Sequence, residues 1–114
     1  MKVLSIFGTR PEAIKMATVI KELARHSEIE NVVCVTAQHR QMLDQVLSLF
    51  DIQPDYDLNL MQPNQSLAQL TATALSELDV VLEREKPDWV LTQGDTTTAM
   101  VGALAGFYRR VKVG

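Results

Sequence analysis

Short apolar runs alternate with longer stretches of helical periodicity along the whole chain, and this alternation restricts the fold more than any other feature. Lys2 to Phe7 is a strand-like run ended by Gly8, and Ala13, Met16, Ala17, Ile20 and Ala24 then recur at helical spacing to about His26. Asn31 opens a second run, Val32-Val33-Cys34-Val35-Thr36, whose unbroken apolar character suits a strand covered on both faces. Met42, Leu43, Val46, Leu47 and Phe50 form the stripe of a second helix. Between Pro54 and Pro63, Tyr56, Leu58 and Leu60 alternate with polar residues and predict a short half-buried strand. Leu67, Leu70, Ala74, Leu78, Val81 and Leu82 predict a long amphipathic helix that Pro87 stops. Trp89 to Thr92 is the next strand. The helix after it carries Ala99, Gly102, Ala103, Ala105 and Gly106, small enough to approach a sheet closely, and residues 111–114 begin a further strand.

Strands alternating with helices imply an α/β fold, a Rossmann-like parallel sheet flanked by helices and joined by right-handed crossovers. A length of 114 residues fits one domain or part of one. Because the sequence stops as a strand begins, residues 1–114 are expected to be an incomplete amino-terminal domain. Local signals agree with these boundaries. Thr9 with Glu12, and Ser66 with Gln69, fit capping boxes, and Pro11 suits a first helical turn.

Composition narrows the function classes. A formal net charge of −3 argues against bulk attraction to nucleic acid. The single cysteine, Cys34, excludes an internal disulfide and a Cys-pair zinc site, and its apolar surroundings make it a small buried hydrophobe. No stretch approaches the ~18 apolar residues of a membrane span, and the apolar amino terminus is too short for a signal sequence. A cytoplasmic protein with no membrane or nucleic-acid partner is the expectation.

In an open parallel sheet, ligands bind beyond the carboxyl ends of the strands. Three polar turns fall there: Gly8-Thr9-Arg10, Ala37-Gln38-His39-Arg40 and Gln93-Gly94-Asp95-Thr96. The first enters a helix, whose free N–H groups and dipole favour an anion. Arg10 could grip a phosphate or carboxylate bidentately, and Lys15 could reach back to the same mouth; spacing alone favours reading Arg10 as an exposed turn residue and Lys15 as an ordinary solvated helix charge. His39 could be a polar cap or a ligand-facing group. Asp95 is the one acid in these turns besides Glu12, which the capping box explains. As a preferred N-cap, worth about 1 kcal/mol, Asp95 is read first as a cap, although a rim carboxylate can also bind a sugar hydroxyl or move a proton. Thr96, Thr97 and Thr98 could cap, bind phosphate or face water. No metal-ligand spacing, nucleophile–base pair, dinucleotide fingerprint or P-loop is present. The residues by themselves define an α/β layer with a polar, partly basic ligand crevice.

Three blocks carry a resemblance. Gly8-Thr9-Arg10-Pro11-Glu12-Ala13-Ile14-Lys15, Gln38-His39-Arg40-Gln41-Met42-Leu43 and Gln93-Gly94-Asp95-Thr96-Thr97-Thr98 resemble, in order, signatures of the non-hydrolysing UDP-N-acetylglucosamine 2-epimerases. The resemblance implies the first of two Rossmann-like domains arranged as in B-type glycosyltransferases, with the second domain outside this chain. It implies interconversion of UDP-N-acetylglucosamine and UDP-N-acetylmannosamine by removal of the carbon-2 proton, elimination of UDP and its re-addition, without metal or nicotinamide cofactor. It further implies a homodimer serving polysaccharide biosynthesis. Arg10 and Lys15 would bind the diphosphate region. Asp95 would contact substrate and serve elimination and re-addition, and Gln38, His39 and Gln41 would hold an activating second substrate molecule. Ala37 stands where the family usually has glycine, a strained choice if φ is positive there. Asn64 lies near where some members carry an arginine for the regulatory ligand. The family's catalytic glutamates and its histidine near UDP fall beyond Gly114, so this chain is expected to be inactive alone. A hydrolysing 2-epimerase relative and a non-catalytic sugar-nucleotide-binding module are the alternative readings.

Overall fold

The protein forms five parallel strands and four helices in a computed structural model that describes residues 1–37 and 40–114. In chain order these are β1 (Lys2–Phe7), α1 (Arg10–Ala24), β2 (Glu30–Val35), α2 (Arg40–Leu49), β3 (Tyr56–Asp57), α3 (Leu67–Glu85), β4 (Trp89–Leu91), α4 (Thr97–Tyr108) and β5 (Lys112–Val113). The strand order β3-β2-β1-β4-β5 places the first strand at the centre, with the chain winding outward in both directions. Every pairing is parallel, with Leu4 opposite Val32 and Val90, and Ile6 opposite Cys34.

Alternation along the central strands builds a core on each face. Leu4, Ile6, Val32 and Cys34 point one way and pack with Leu78, Val81 and Leu82 of α3 and Val101 and Ala105 of α4. Phe7, Val33 and Val35 point the other way, against Ala13, Met16, Ala17 and Ile20 of α1 and Leu43, Val46 and Leu47 of α2. Each large side chain buried here contributes about 1.5–3 kcal/mol relative to exposure. Ser5 is the buried polar residue of β1, and its Oγ has no hydrogen-bond partner among the described residues.

The helix ends follow their local chemistry. Ser66 Oγ accepts from Gln69 N–H at 3.1 Å, while Gln69 Oε1 accepts from Ser66 N–H at 3.1 Å, completing the box at the start of α3. Its other end closes through Lys86 in the left-handed region (φ 47°) before Pro87. α4 lies close to the sheet: a Cβ on Gly102 would sit 2.8 Å from Thr92 Cγ2, so the small residues of this helix serve packing.

At the amino ends of the strands, a polar lock ties β1 and β3 to α3. Lys2 Nζ donates to Glu85 O at 2.9 Å and to Glu85 Oε1 at 3.2 Å, and the Tyr56 hydroxyl donates to Glu85 Oε2. Arg109 clasps Asp79 through two hydrogen bonds of 2.7 and 2.9 Å, joining α4 to α3.

Candidate functional site

Parallel strands deliver the turns after β1, β2 and β4 to the same edge, and the turns are bonded to one another there. The Glu12 carboxylate is the centre of this network, with only 2% of the residue exposed. Oε1 accepts from Gly8 N–H at 2.9 Å and from Thr9 N–H at 3.1 Å, while Oε2 accepts from the Thr96 hydroxyl. Glu12 therefore does more than its capping box requires, because it joins the first turn to the third. Thr9 faces its N3 amide in the capping-box arrangement, but its Oγ1 makes no hydrogen bond among the described residues. A second tie runs from the end of β2 to α4, where Thr36 Oγ1 and Thr98 Oγ1 lie 2.9 Å apart, both buried. Gly8 sits against that pair, and a Cβ there would fall 2.0 Å from Thr36 Oγ1.

Asp95 is not the cap expected from the sequence. Thr96 is the N-cap of α4, its Oγ1 accepting from Ala99 N–H at 3.2 Å. The reason lies in Glu12. A threonine hydroxyl can accept from the helix amide and donate to Glu12 at once, whereas an aspartate cap could only accept and would set two carboxylates together. Asp95 is left exposed beside Gly94 (φ 95°), with no hydrogen bond or ion pair among the described residues. The capping explanation for this carboxylate is thereby removed.

Arg10 and Lys15 are also exposed, at the start and in the second turn of α1, and neither is paired among the described residues. Neither charge is neutralised by a partner among the described residues. The main-chain contribution is smaller than the sequence implies. Gly8 and Thr9 N–H are already taken by Glu12, and Pro11 has no N–H to offer.

At the second mouth, Gln38 and His39 lie outside the described residues, and Gln41 is exposed in the first turn of α2. Arg40 is committed elsewhere: it is bonded to Asp57, donates to Asn59 Oδ1 at 3.2 Å and lies 3.5 Å from Asp44. Ala37 adopts φ 58° while fully buried. It occupies the left-handed region that costs a non-glycine residue about 1–2 kcal/mol. Asn64, also left-handed (φ 61°), lines a polar hollow of about 280 Å³ with Gln62, Gln65, Gln69 and Thr73.

Other features lie away from this edge. A hollow of about 430 Å³ at the opposite end of the sheet is lined by Glu83, Lys86, Asp88, Arg109, Arg110 and Lys112. Its cations follow the C-termini of α3 and α4, where positive charge complements the helix dipoles. Burial pushes the Cys34 thiol up to about 12, which keeps it a packing residue. Among the described residues, no group of three or more His, Cys, Asp or Glu could hold a metal, and no helix is long and apolar enough to cross a membrane.

Sheet order, two-faced core and polar carboxyl edge define the class: a Rossmann-like α/β layer of the B-type glycosyltransferase-like kind. The structure of Acinetobacter baumannii MurG shares this fold at 19% identity and a TM-score of 0.75, covering 98% of this chain and 33% of that one. The family is more specific. Residues 21–114 match the family described as UDP-N-acetylglucosamine 2-epimerase. The UDP-N-acetylglucosamine 2-epimerase of Neisseria meningitidis serogroup A is 62% identical over all of this chain. A crystal structure of the N. meningitidis enzyme bound to UDP-GlcNAc superposes with a TM-score of 0.96 at 62% identity, again covering 100% of this chain. The chain belongs to the UDP-N-acetylglucosamine 2-epimerase family. It spans 31% of the length of that Neisseria relative.

Proposed function

We propose that this chain is the amino-terminal layer of a non-hydrolysing UDP-N-acetylglucosamine 2-epimerase, an isomerase interconverting UDP-N-acetylglucosamine and UDP-N-acetylmannosamine. The observation that carries the reading is Asp95. Its carboxylate is exposed, unpaired among the described residues and not used as a cap, in the turn that Glu12 joins to the start of α1, the helix that carries Arg10 at its first position and Lys15 at its sixth. Those two cations suit a diphosphate, and a nearby carboxylate suits a proton relay beside it. In the proposed reaction the carbon-2 proton is removed and the carbon-1–oxygen bond to UDP breaks, giving a glycal. UDP then adds back as a proton returns to carbon-2 from the opposite face. Arg10 and Lys15 stabilise the charge that accumulates on departing UDP, and Asp95 serves elimination and re-addition. Gln38, His39 and Gln41 would hold an activating second substrate molecule. The remaining groups would come from a second domain across the cleft, and this length of chain alone would not turn over substrate. The intact protein would be a cytoplasmic homodimer acting in polysaccharide biosynthesis, with no cofactor.

NMR of UDP-N-acetylglucosamine in heavy water with the full-length protein tests this. Deuterium at carbon-2 with accumulating UDP-N-acetylmannosamine is the expected result. Free N-acetylmannosamine with UDP would assign the hydrolysing reaction instead, and no exchange by folded protein would leave a binding module. Arg10→Ala should weaken UDP-sugar binding by ~1.5–3 kcal/mol, the scale of a hydrogen bond to a charged group; an unchanged Kd would return Arg10 to an ordinary surface charge.

A further inference from the structure

We infer that Glu12 is a positioning residue whose buried carboxylate sets the placement of Asp95 relative to Arg10, acting through Thr96. The inference rests on the role proposed for Asp95. Glu12 is acceptor-only as a carboxylate, and three donors converge on it: Gly8 N–H, Thr9 N–H and the Thr96 hydroxyl. Because the one Thr96 proton goes to Glu12, the Thr96 oxygen is turned so that it accepts Ala99 N–H at 3.2 Å. Each hydrogen bond in this network thus has an assigned direction.

Both neighbours of Asp95 rest on Glu12. Thr96 is bonded to it, and Gly94 lies beside it, where a Cβ would be in ordinary contact at 3.6 Å from Glu12 Cγ and Oε2. Asp95 itself has no hydrogen bond or ion pair among the described residues, so its flanks determine where its carboxylate stands. At the other end, the Gly8 and Thr9 amides held by Glu12 immediately precede Arg10. One carboxylate therefore ties the anion-gripping turn to the proton-moving turn. Neither the Thr9–Glu12 spacing nor the threonine run announces this connection, because Glu12 and Thr96 are 84 residues apart.

Glu12→Gln keeps the shape but turns an acceptor into a donor. With its oxygen on the two main-chain amides, its NH2 faces Thr96, which must reverse its hydroxyl, and the turn carrying Asp95 shifts. Glu12→Gln, Thr96→Val, the double variant, Thr96→Ser and Asp95→Asn would be made in the full-length protein and assayed for epimerisation. A misplacement near 1 Å lowers kcat roughly 100-fold. Glu12→Gln and Thr96→Val should each show a loss approaching that size, with KM within about threefold of wild type. The double variant should be no worse than the poorer single, because both break one connection. Thr96→Ser, which keeps the hydroxyl, should restore kcat. If Glu12→Gln fails to fold, the Thr96→Val and Thr96→Ser pair decides. Wild-type kcat in Thr96→Val, or losses that multiply in the double variant, would overturn the inference while an inactive Asp95→Asn left the proposed function standing. Asp95→Asn at wild-type kcat would overturn the inference together with the role proposed for Asp95, and would leave the epimerase reaction itself standing.

Discussion

Replacing Gly8 with alanine would place a methyl carbon 2.0 Å from Thr36 Oγ1 and 2.9 Å from Thr98 Oγ1. Neither threonine has room to retreat, since Thr36 is 0% and Thr98 2% exposed. Thr36 is β-branched and stiff at χ1, and a rotamer change that takes Oγ1 away from the new methyl also abandons the 2.9 Å bond to Thr98. Overpacking of this kind costs about 1–3 kcal/mol, and a disrupted buried hydrogen bond about 1–2 more, so Gly8→Ala should destabilise by ~2–5 kcal/mol. That is a large share of the 5–15 kcal/mol typical of a folded domain. Thr36→Ala removes the clashing oxygen, so a Gly8→Ala/Thr36→Ala double variant should recover ~1–3 kcal/mol relative to the sum of the singles. Calorimetry and urea unfolding of the four full-length proteins measure the cycle. A Gly8→Ala protein within about 0.5 kcal/mol of wild type, or a strictly additive double variant, would refute the close-approach argument.

Two further outcomes test other parts of the structure. Ser5 buries a hydroxyl with no partner among the described residues, so Ser5→Ala should stabilise by about 1 kcal/mol in urea unfolding, and an equal loss would reveal a partner for Oγ. The Tyr56 hydroxyl, and after it Lys2, hold the Glu85 carboxyl below its ordinary 4.5; its stabilisation is present above that value and lost as pH falls through the lowered one. Glu85→Gln should therefore flatten the acid limb of thermal stability below about pH 4.5, and parallel limbs would remove Glu85 from it.

The strand and helix pattern was legible because the core has two faces. A strand covered on both sides shows continuous apolar character, and each helix covering it shows a single stripe. Val32 to Val35 and the α1 stripe from Ala13 to Ile20 therefore announced their roles. Boundaries moved where main-chain bonds outran side-chain pattern. β2 begins at Glu30, which pairs with Lys2, although Glu30 carries no apolar signal. α1 ends at Ala24 rather than about His26, because the next amides turn back to Glu22 and Leu23. β3 shrinks to Tyr56–Asp57, since Leu58 and Leu60 reach Val35 and Thr36 through single bonds rather than a continued ladder.

The edge was legible only in outline. The parallel pattern is enough to bring three turns together, and the structure bears that out through Glu12–Thr96 and Thr36–Thr98. What each polar residue does there depends on partners far along the chain, and local rules assign roles from neighbours. By those rules Asp95 was the better cap and Glu12 a capping-box member. The opposite assignment at α4 follows from one constraint, that a buried carboxylate beside a helix start needs a donor. Threonine supplies donor and acceptor in one group, so the cap moves one residue along and Asp95 is released to the surface. Ala37 follows similar logic. The chain leaves β2 through a left-handed residue, and an alanine tolerates that strain where its methyl is fully buried in the core cluster that α1 and α2 form on this face of the sheet. Methyl burial of about 0.8 kcal/mol offsets much of the cost of φ 58°, which is why a position that favours glycine can carry alanine without losing the turn.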